Sequence, residues 1–275
     1  MTDSEHWLLQ YLKLLKNYGE GDSMEAEKPR FTDQWGAQYC LVEPGEFLMG
    51  TAKGSPREAP EHLVQITEPF FLGERPVTQA QWSDLMDSNP STFQEGWSAG
   101  LRPVESISMD DIVLFLQRLN DKEHGTERLG VVGHWRLPSE SEWEYAAKAG
   151  SSGRWWFGDR DSELDEYGWH AGNSGGSTRE VGLKKSNPWG FHDMNGLINE
   201  WCADHWAPHF KSPRTQQPHH DSSERYVVKG GSWFTESDST RNAARAFAVH
   251  SKKSDGLGLR LVWDPTDMAR QGDEG

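Results

Sequence analysis

The apolar positions along this chain change period several times, and each change predicts an element. Between residues 4 and 17, Trp7, Leu8, Tyr11, Leu12 and Leu15 share one helical face, with Lys13, Lys16 and Asn17 mostly off it. Thr2 and Glu5 have the spacing of a capping box, so this stretch is expected to be an amphipathic helix. It would pack on the domain body or serve as a partner or oligomer interface. Residues 18–37 are polar and charged and read as a linker. Strand patterning then begins. Tyr39-Cys40-Leu41-Val42 and Glu46-Phe47-Leu48-Met49 flank a Pro44-Gly45 turn, a hairpin signal. Leu63-Val64-Gln65-Ile66 and Phe70-Phe71-Leu72-Gly73 read as further strands.

Three internal helices carry their own start signals. Thr78 precedes Gln79 to Met86 as a cap. Ser108 caps a segment with Asp110 and Asp111 in its first turn and Ile112, Phe115, Leu116 and Leu119 on one face. Ser139 caps Glu140 to Ala149, with Glu142 as capping-box partner and Gly150 as terminator, so these acids read as cap and dipole residues. Residues 151–192 are loop-rich around Trp155, Trp156 and Trp169, and residues 211–224 read as a surface loop whose His219-His220-Asp221 is solvated.

Composition narrows the class. Apolar residues make up only 35% of the 275, but 14 Trp and 11 Phe can build an aromatic-rich core for one domain. Against 28 Lys and Arg stand 43 Asp and Glu, a net charge of −15 that disfavours nucleic acid and anionic membranes as partners. Two cysteines, Cys40 and Cys202, form neither a disulfide framework nor a zinc motif and are expected as buried thiols. The N-terminal residues lack signal-peptide features, and no apolar run is long enough to span a membrane, so a bacterial cytoplasmic location is expected.

The stretch with the most chemistry is Trp189 to Trp201. Asp193 and Glu200 stand seven residues apart around a glycine turn. A hard cation such as calcium takes roughly six to eight oxygens, which two carboxylates and the carbonyls of Gly196 and Ile198 could begin to supply. The competing reading is an ordinary turn with two solvated acids.

This stretch resembles the Asp-Met-x-Gly-Asn-Val-Trp-Glu-Trp block of the formylglycine-generating enzyme (sulfatase-modifying factor) family. Further blocks follow in that family's order: Pro44 to Gly50, Pro76 to Trp82, Arg136 to Ala147, Gly230-Gly231-Ser232-Trp233 and Gly256 to Val262. The resemblance implies one α+β domain of formylglycine-generating-enzyme type, C-type-lectin-like and rich in irregular structure, over residues 38–264. Residues 1–37 would be the N-terminal helix and linker, and 265–275 a polar tail. It also puts Asp193, Gly196, Ile198 and Glu200 on calcium-ligand positions, with Leu197 replacing the usual Asn and Asn199 the usual Trp. Asn173 and the carbonyl of Gly175 fall on half of a first calcium site that lacks a matching Asn for its other half. In the family's enzymes, two cysteines five apart after the Gly-Gly-Ser block bind copper(I) and activate oxygen. Here those positions are Thr235 and Thr240. A hydroxyl cannot replace a thiolate on copper(I), so copper and the known oxidation are not expected. His205 to Lys211 lacks the carboxylate of the related sulfoxide synthases' metal motif, and Pro208 disfavours a helix there.

The implied ligand surface comprises Trp233, Phe234, Thr235, Glu236, Asp238, Thr240, Arg241, Arg245 and His250. Aromatic anchors among both charge signs suit recognition, while Arg241 and Arg245 read equally as structural ion-pair partners and Trp233 and Arg260 as core. The expected function is noncatalytic recognition of a protein, peptide or small molecule, with structural calcium. Two alternatives stand beside it: a metal-dependent oxidoreductase using another site, for which iron stays open, and a retroelement-diversified ligand-binding protein.

Overall fold

The computed structural model describes residues 28–210 and 214–265. The N-terminal amphipathic stretch and the polar tail from residue 266 lie outside the described residues. Four strands, β1 (Arg30–Thr32), β2 (Gln38–Val42), β5 (Phe70–Gly73) and β8 (His134–Arg136), join β13 (Val262–Asp264) in a five-stranded sheet of order β1-β2-β5-β13-β8. A second sheet has the order β11-β10-β9-β12, built from β9 (Asn199–His205), β10 (Arg225–Lys229), β11 (Arg245–Val249) and β12 (Leu257–Gly258). β12 runs parallel to β9 and the other pairs are antiparallel. Two small ribbons complete the strands, β3 (Gly45–Met49) with β4 (His62–Ile66), and β6 (Glu127–Arg128) with β7 (Val131–Val132).

All of the predicted strand segments form, but β2 and β3 do not make a hairpin with one another. β2 is buried continuously from Tyr39 to Val42 and sits between two partners, β1 and β5. β3 is buried only at alternate residues and pairs with β4, with Leu48 opposite Leu63. A segment buried on both faces becomes a central strand, and a half-buried one suits a ribbon; that difference overrides the turn signal. β1 lies inside the stretch expected to be linker, paired with β2.

The helices start where their caps predict. In α1 (Gln79–Met86), α2 (Met109–Lys122) and α3 (Glu140–Lys148), Thr78, Ser108 and Ser139 each form a complete capping box with Gln81, Asp111 and Glu142. Trp82 of α1 stacks on Phe115 of α2 with ring centroids 4.8 Å apart, joining a core cluster that includes Trp135, Trp201 and Trp263. A second cluster gathers Trp143, Phe191, Trp206 and both cysteines.

All nine residues of α3 are buried, and its acids do more than cap. Glu140 takes a bidentate bond from Arg245, Glu142 from Arg136, and Glu144 accepts from Lys229 Nζ at 2.9 Å and from the Gly50 N–H at 2.7 Å. Carboxylates in a buried helix need such partners, because an unpaired buried charge is strongly destabilising.

Candidate functional site

The turn between Phe191 and β9 is held by backbone conformations that most side chains avoid. Asp193, Gly196 and Leu197 have φ of 61°, 133° and 70°. Leu197 is fully buried there, in the left-handed region that Asn adopts more readily. Its N–H donates to the Trp169 carbonyl at 2.7 Å, and its own carbonyl accepts from the Trp233 N–H at 3.0 Å, which ties the turn to the Gly-Gly-Ser-Trp segment.

The two carboxylates of this turn have different surroundings. Asp193 accepts the Gly182 N–H on Oδ2 at 2.7 Å, while its buried Oδ1 meets no hydrogen-bond donor among the described residues. Burial pushes its carboxyl up from the usual value, against the Gly182 N–H and the Arg260 charge. Glu200 accepts from Trp143 Nε1 at 2.6 Å and from the Arg260 guanidinium on both oxygens. Arg260 also donates to the carbonyls of Gly73 and His192, so it is the structural residue the sequence suggested. The orphaned oxygen of Asp193 fits a hard cation. Glu200 is the counter-ion of Arg260, with hydrogen bonds on both carboxylate oxygens. Asn173 is likewise engaged: its Oδ1 accepts the His170 N–H at 2.8 Å and its amide donates to Asp165 and the Gly168 carbonyl, while Gly175 turns at φ 69°.

Thr235 and Thr240 come together over Gly231. A Cβ added at that glycine would lie 2.8 Å from Thr240 Cγ2 and 3.0 Å from Thr235 Oγ1, and its φ of 72° suits glycine. Both hydroxyls are engaged locally. Thr235 Oγ1 accepts the Ser232 N–H at 2.9 Å and donates to the Ser232 carbonyl at 3.0 Å. Thr240 Oγ1 accepts from Trp155 Nε1 at 3.0 Å and donates to the Ser237 carbonyl at 2.8 Å. The turn thus keeps two adjacent side chains and presents no soft ligand.

Beside this turn a cavity of about 580 Å³ runs along β11. Of the nine surface residues named from sequence, Thr235, Asp238, Arg241 and Arg245 line it. The rest are placed elsewhere. Trp233 is half-buried, donating to the Asp255 carbonyl and standing edge-on to Phe93, with Phe234 packed against it. The Glu236 carbonyl closes the turn at Ser239, Thr240 is buried under Trp155, and His250 pairs with Asp110. Arg241 grips Glu58 through two bonds and Asp238 through two more, holding the Asp238 carboxyl below its usual value. Arg245 binds Glu140 and the carbonyls of Arg57 and Ala207. Both arginines are therefore ion-paired walls of the cavity. A second cavity of about 800 Å³ shares Asp238 and Arg241, so their cluster separates the two.

Residues 25–265 match the sulfatase-modifying factor enzyme 1-like domain. The chain belongs to this family. Among its relatives, the chaperone protein LppX of Paenibacillus barcinonensis is 28% identical over 81% of this chain and 88% of its own length. The formylglycine-generating enzyme of Streptomyces coelicolor is 32% identical over 80% and 87%. Among solved structures, Treponema denticola variable protein 1 superposes with a TM-score of 0.76 at 28% identity, covering 83% of this chain and 95% of that one. The α+β, C-type-lectin-like fold expected from the sequence is thereby established.

Within this family fold, sequence reasoning did not place Asn199, Arg57 or Phe247 in the cavity lining. Asn199, one of the two departures from the resembled block, lines the cavity and donates to the Gly256 carbonyl at 3.3 Å. That substitution was visible in the sequence, although its consequence needed the fold. Neither cysteine contributes a ready thiolate: burial, then Glu74, pushes the Cys40 thiol up to about 12, and burial raises Cys202 well above its usual value. His219 and His205 both approach Asp221, yet among the described residues no group of three or more His, Cys, Asp or Glu is arranged to hold a metal. No helix among them is long and apolar enough to cross a membrane.

Proposed function

We propose that this chain is a noncatalytic recognition module that binds a protein, peptide or small molecule in the cavity along β11. The observation that carries this reading is the pair Thr235 and Thr240. The family resemblance puts copper-binding cysteines at these two positions; here the side chains both close on Gly231, and their hydroxyls are already bonded to Ser232, Ser237 and Trp155. The adjoining cavity supports binding without that metal chemistry, and a relative named as a chaperone supports a polypeptide ligand. A structural calcium ion would be held by Asp193 with the carbonyls of Gly196 and Ile198, and Glu200 would stay behind them as the partner of Arg260.

Selection of a displayed random-peptide library on the immobilised full chain tests the reading. Enriched sequences should bind the wild type and lose at least about tenfold in affinity on Asn199→Trp, about 1.4 kcal/mol. Because an indole could disturb β9, Ala246→Glu on the exposed strand is the second blocked variant. Equal binding to folded blocked variants would contradict the cavity assignment, and oxygen consumption by the metal-loaded protein would contradict the noncatalytic reading.

A second reading, a ligand-binding protein diversified between strains, is favoured by the likeness to a protein named variable protein 1. Sequences from sibling strains should then differ mainly between residues 234 and 257. Uniform change along the chain would dismiss it.

A further inference from the structure

The cavity beside Thr235 is lined by Arg245, Ala246, Phe247, Ala248 and Val249, every residue of β11 in succession. A cavity over one face of a sheet meets alternate residues, since side chains alternate sides. The lining also takes Val228 of β10, Asn199 of β9 and Leu257 of β12, so the cavity lies over one face of this sheet, and contact with all five residues of β11 carries it round that strand's edge. β11 is also the end strand of its sheet, bonded to β10 and to no other strand among the described residues.

The register identifies the free backbone groups. In an antiparallel pair, residues bonded to the partner alternate with residues whose N–H and C=O point away. The His250 N–H donates to the Glu224 carbonyl at 2.9 Å, continuing the register of Arg225 opposite Val249 and Val227 opposite Phe247. Residues 246 and 248 therefore bond inward to β10, and the backbones of Arg245, Phe247 and Val249 face out. The outward Val249 carbonyl is taken by the Lys252 N–H at 2.8 Å. For Phe247, no described residue bonds the N–H or the C=O.

Proteins usually blunt such an edge with Lys, Pro or a bulge. β11 reads Arg-Ala-Phe-Ala-Val, and its Phe247 and Val249 side chains are 37% and 40% exposed. The charges at its ends are specific. At one end Arg57, whose carbonyl accepts from Arg245, lies over the Trp206 ring; at the other stands Lys252. The adjacent acids are engaged, Glu58 by Arg241 and Asp111 by Lys253, which leaves both cations without a carboxylate partner among the described residues.

We propose that β11 receives an extended acidic segment of another protein as a fifth strand of this sheet. Its backbone pairs with Phe247, and its carboxylates meet Arg57 and Lys252. Main-chain pairing would supply affinity and the two cations would supply direction and selectivity. This rests on the recognition reading above and specifies its ligand and mode.

The test uses the full chain and a fluorescent synthetic peptide of alternating valine and glutamate, roughly eight residues long to overlap the strand at about 3.4 Å per residue. Its binding is compared with that of the valine–lysine peptide and of a copy N-methylated on alternate residues. Phe247→Pro deletes only an outward N–H, a substitution that edge strands tolerate; Phe247→Ala removes the same ring and keeps the N–H. The proposal expects the glutamate peptide to bind, both altered peptides to bind at least about tenfold more weakly, and Phe247→Pro to weaken binding about tenfold relative to Phe247→Ala. Arg57→Glu with Lys252→Glu should abolish the preference for glutamate over lysine.

Equal affinity of Phe247→Pro and Phe247→Ala would overturn strand addition while leaving recognition in the cavity standing. Failure of the glutamate peptide to bind, with library-selected ligands still blocked by Asn199→Trp, would overturn the acidic-strand ligand alone. Concentration-dependent dimerisation abolished by Phe247→Pro, without peptide binding, would assign the edge to a second copy of the chain and overturn the proposal.

Discussion

Two turns that the family resemblance marks as metal positions differ in this chain. The turn from Asp193 to Glu200 keeps its charged residues, its positive-φ backbone and one buried carboxylate oxygen with no donor among the described residues. The turn from Thr235 to Thr240 keeps the adjacency of two side chains over Gly231, but both hydroxyls are absorbed by local hydrogen bonds. The first turn is tied to the core through Glu200, Arg260 and Trp143, so its changes disturb folding. The second lies beside a cavity, and its threonine hydroxyls bond to Ser232, Ser237 and Trp155. The proposed function requires scaffold and metal chemistry to be separable in this fold, and the following experiments break or sharpen that contrast.

The largest effect is expected on restoring sulfur. Thr235→Cys with Thr240→Cys should convert a protein with no tight copper(I) site into one that binds a stoichiometric ion, seen by competition with a chromophoric copper(I) chelator. Equal copper(I) affinity of wild type and double variant would erase the contrast.

Breaking the buried pair comes next. Arg260→Ala or Glu200→Ala leaves an uncompensated charge in the core and should cost about 3–5 kcal/mol in urea unfolding. A loss of less than about 1 kcal/mol, the range of exposed pairs, would mean that Glu200 is not anchored as described.

For calcium, wild type should gain about 3 kcal/mol of stability at a hundredfold excess over Kd, and Asp193→Ala should lose that gain. Retention of the full calcium response in Asp193→Ala would remove Asp193 from the ligand set.

The smallest effect is a pH dependence from Glu144. Burial opposes its ionisation, but Lys229 and Lys148 outweigh burial and hold its carboxyl at about 2, below the usual 4.5. A depressed carboxyl contributes stability that is present above the unfolded value and is lost as pH falls from about 4.5 toward 2. The slope of unfolding free energy against pH across that window should be shallower in Glu144→Gln than in wild type. Identical slopes would contradict the pairing.

The parts legible in the sequence were those with local or family-wide signatures. Each capping box spans three residues, so Thr78, Ser108 and Ser139 announced their helices directly. The fold followed from ordered blocks. Partners chosen by three-dimensional packing were not legible: Arg241 meets Glu58 across 183 positions, and Arg245 meets Glu140 across 105. For the same reason the acids of α3 looked like simple cap and dipole groups, because their basic partners arrive from β8, β10 and β11. The false β2–β3 hairpin arose from a turn signal that says nothing about how many partners a strand needs. The open edge of β11 was hidden because pairing, not composition, decides which strand ends a sheet.

The central claim, a recognition scaffold that has lost its redox metal, is tested most directly by elemental mass spectrometry of protein purified without chelator, normalised to protein concentration. The account predicts calcium near one equivalent with copper and iron at background. Stoichiometric copper or iron would contradict it and would point to a ligand set among side chains now assigned to structure.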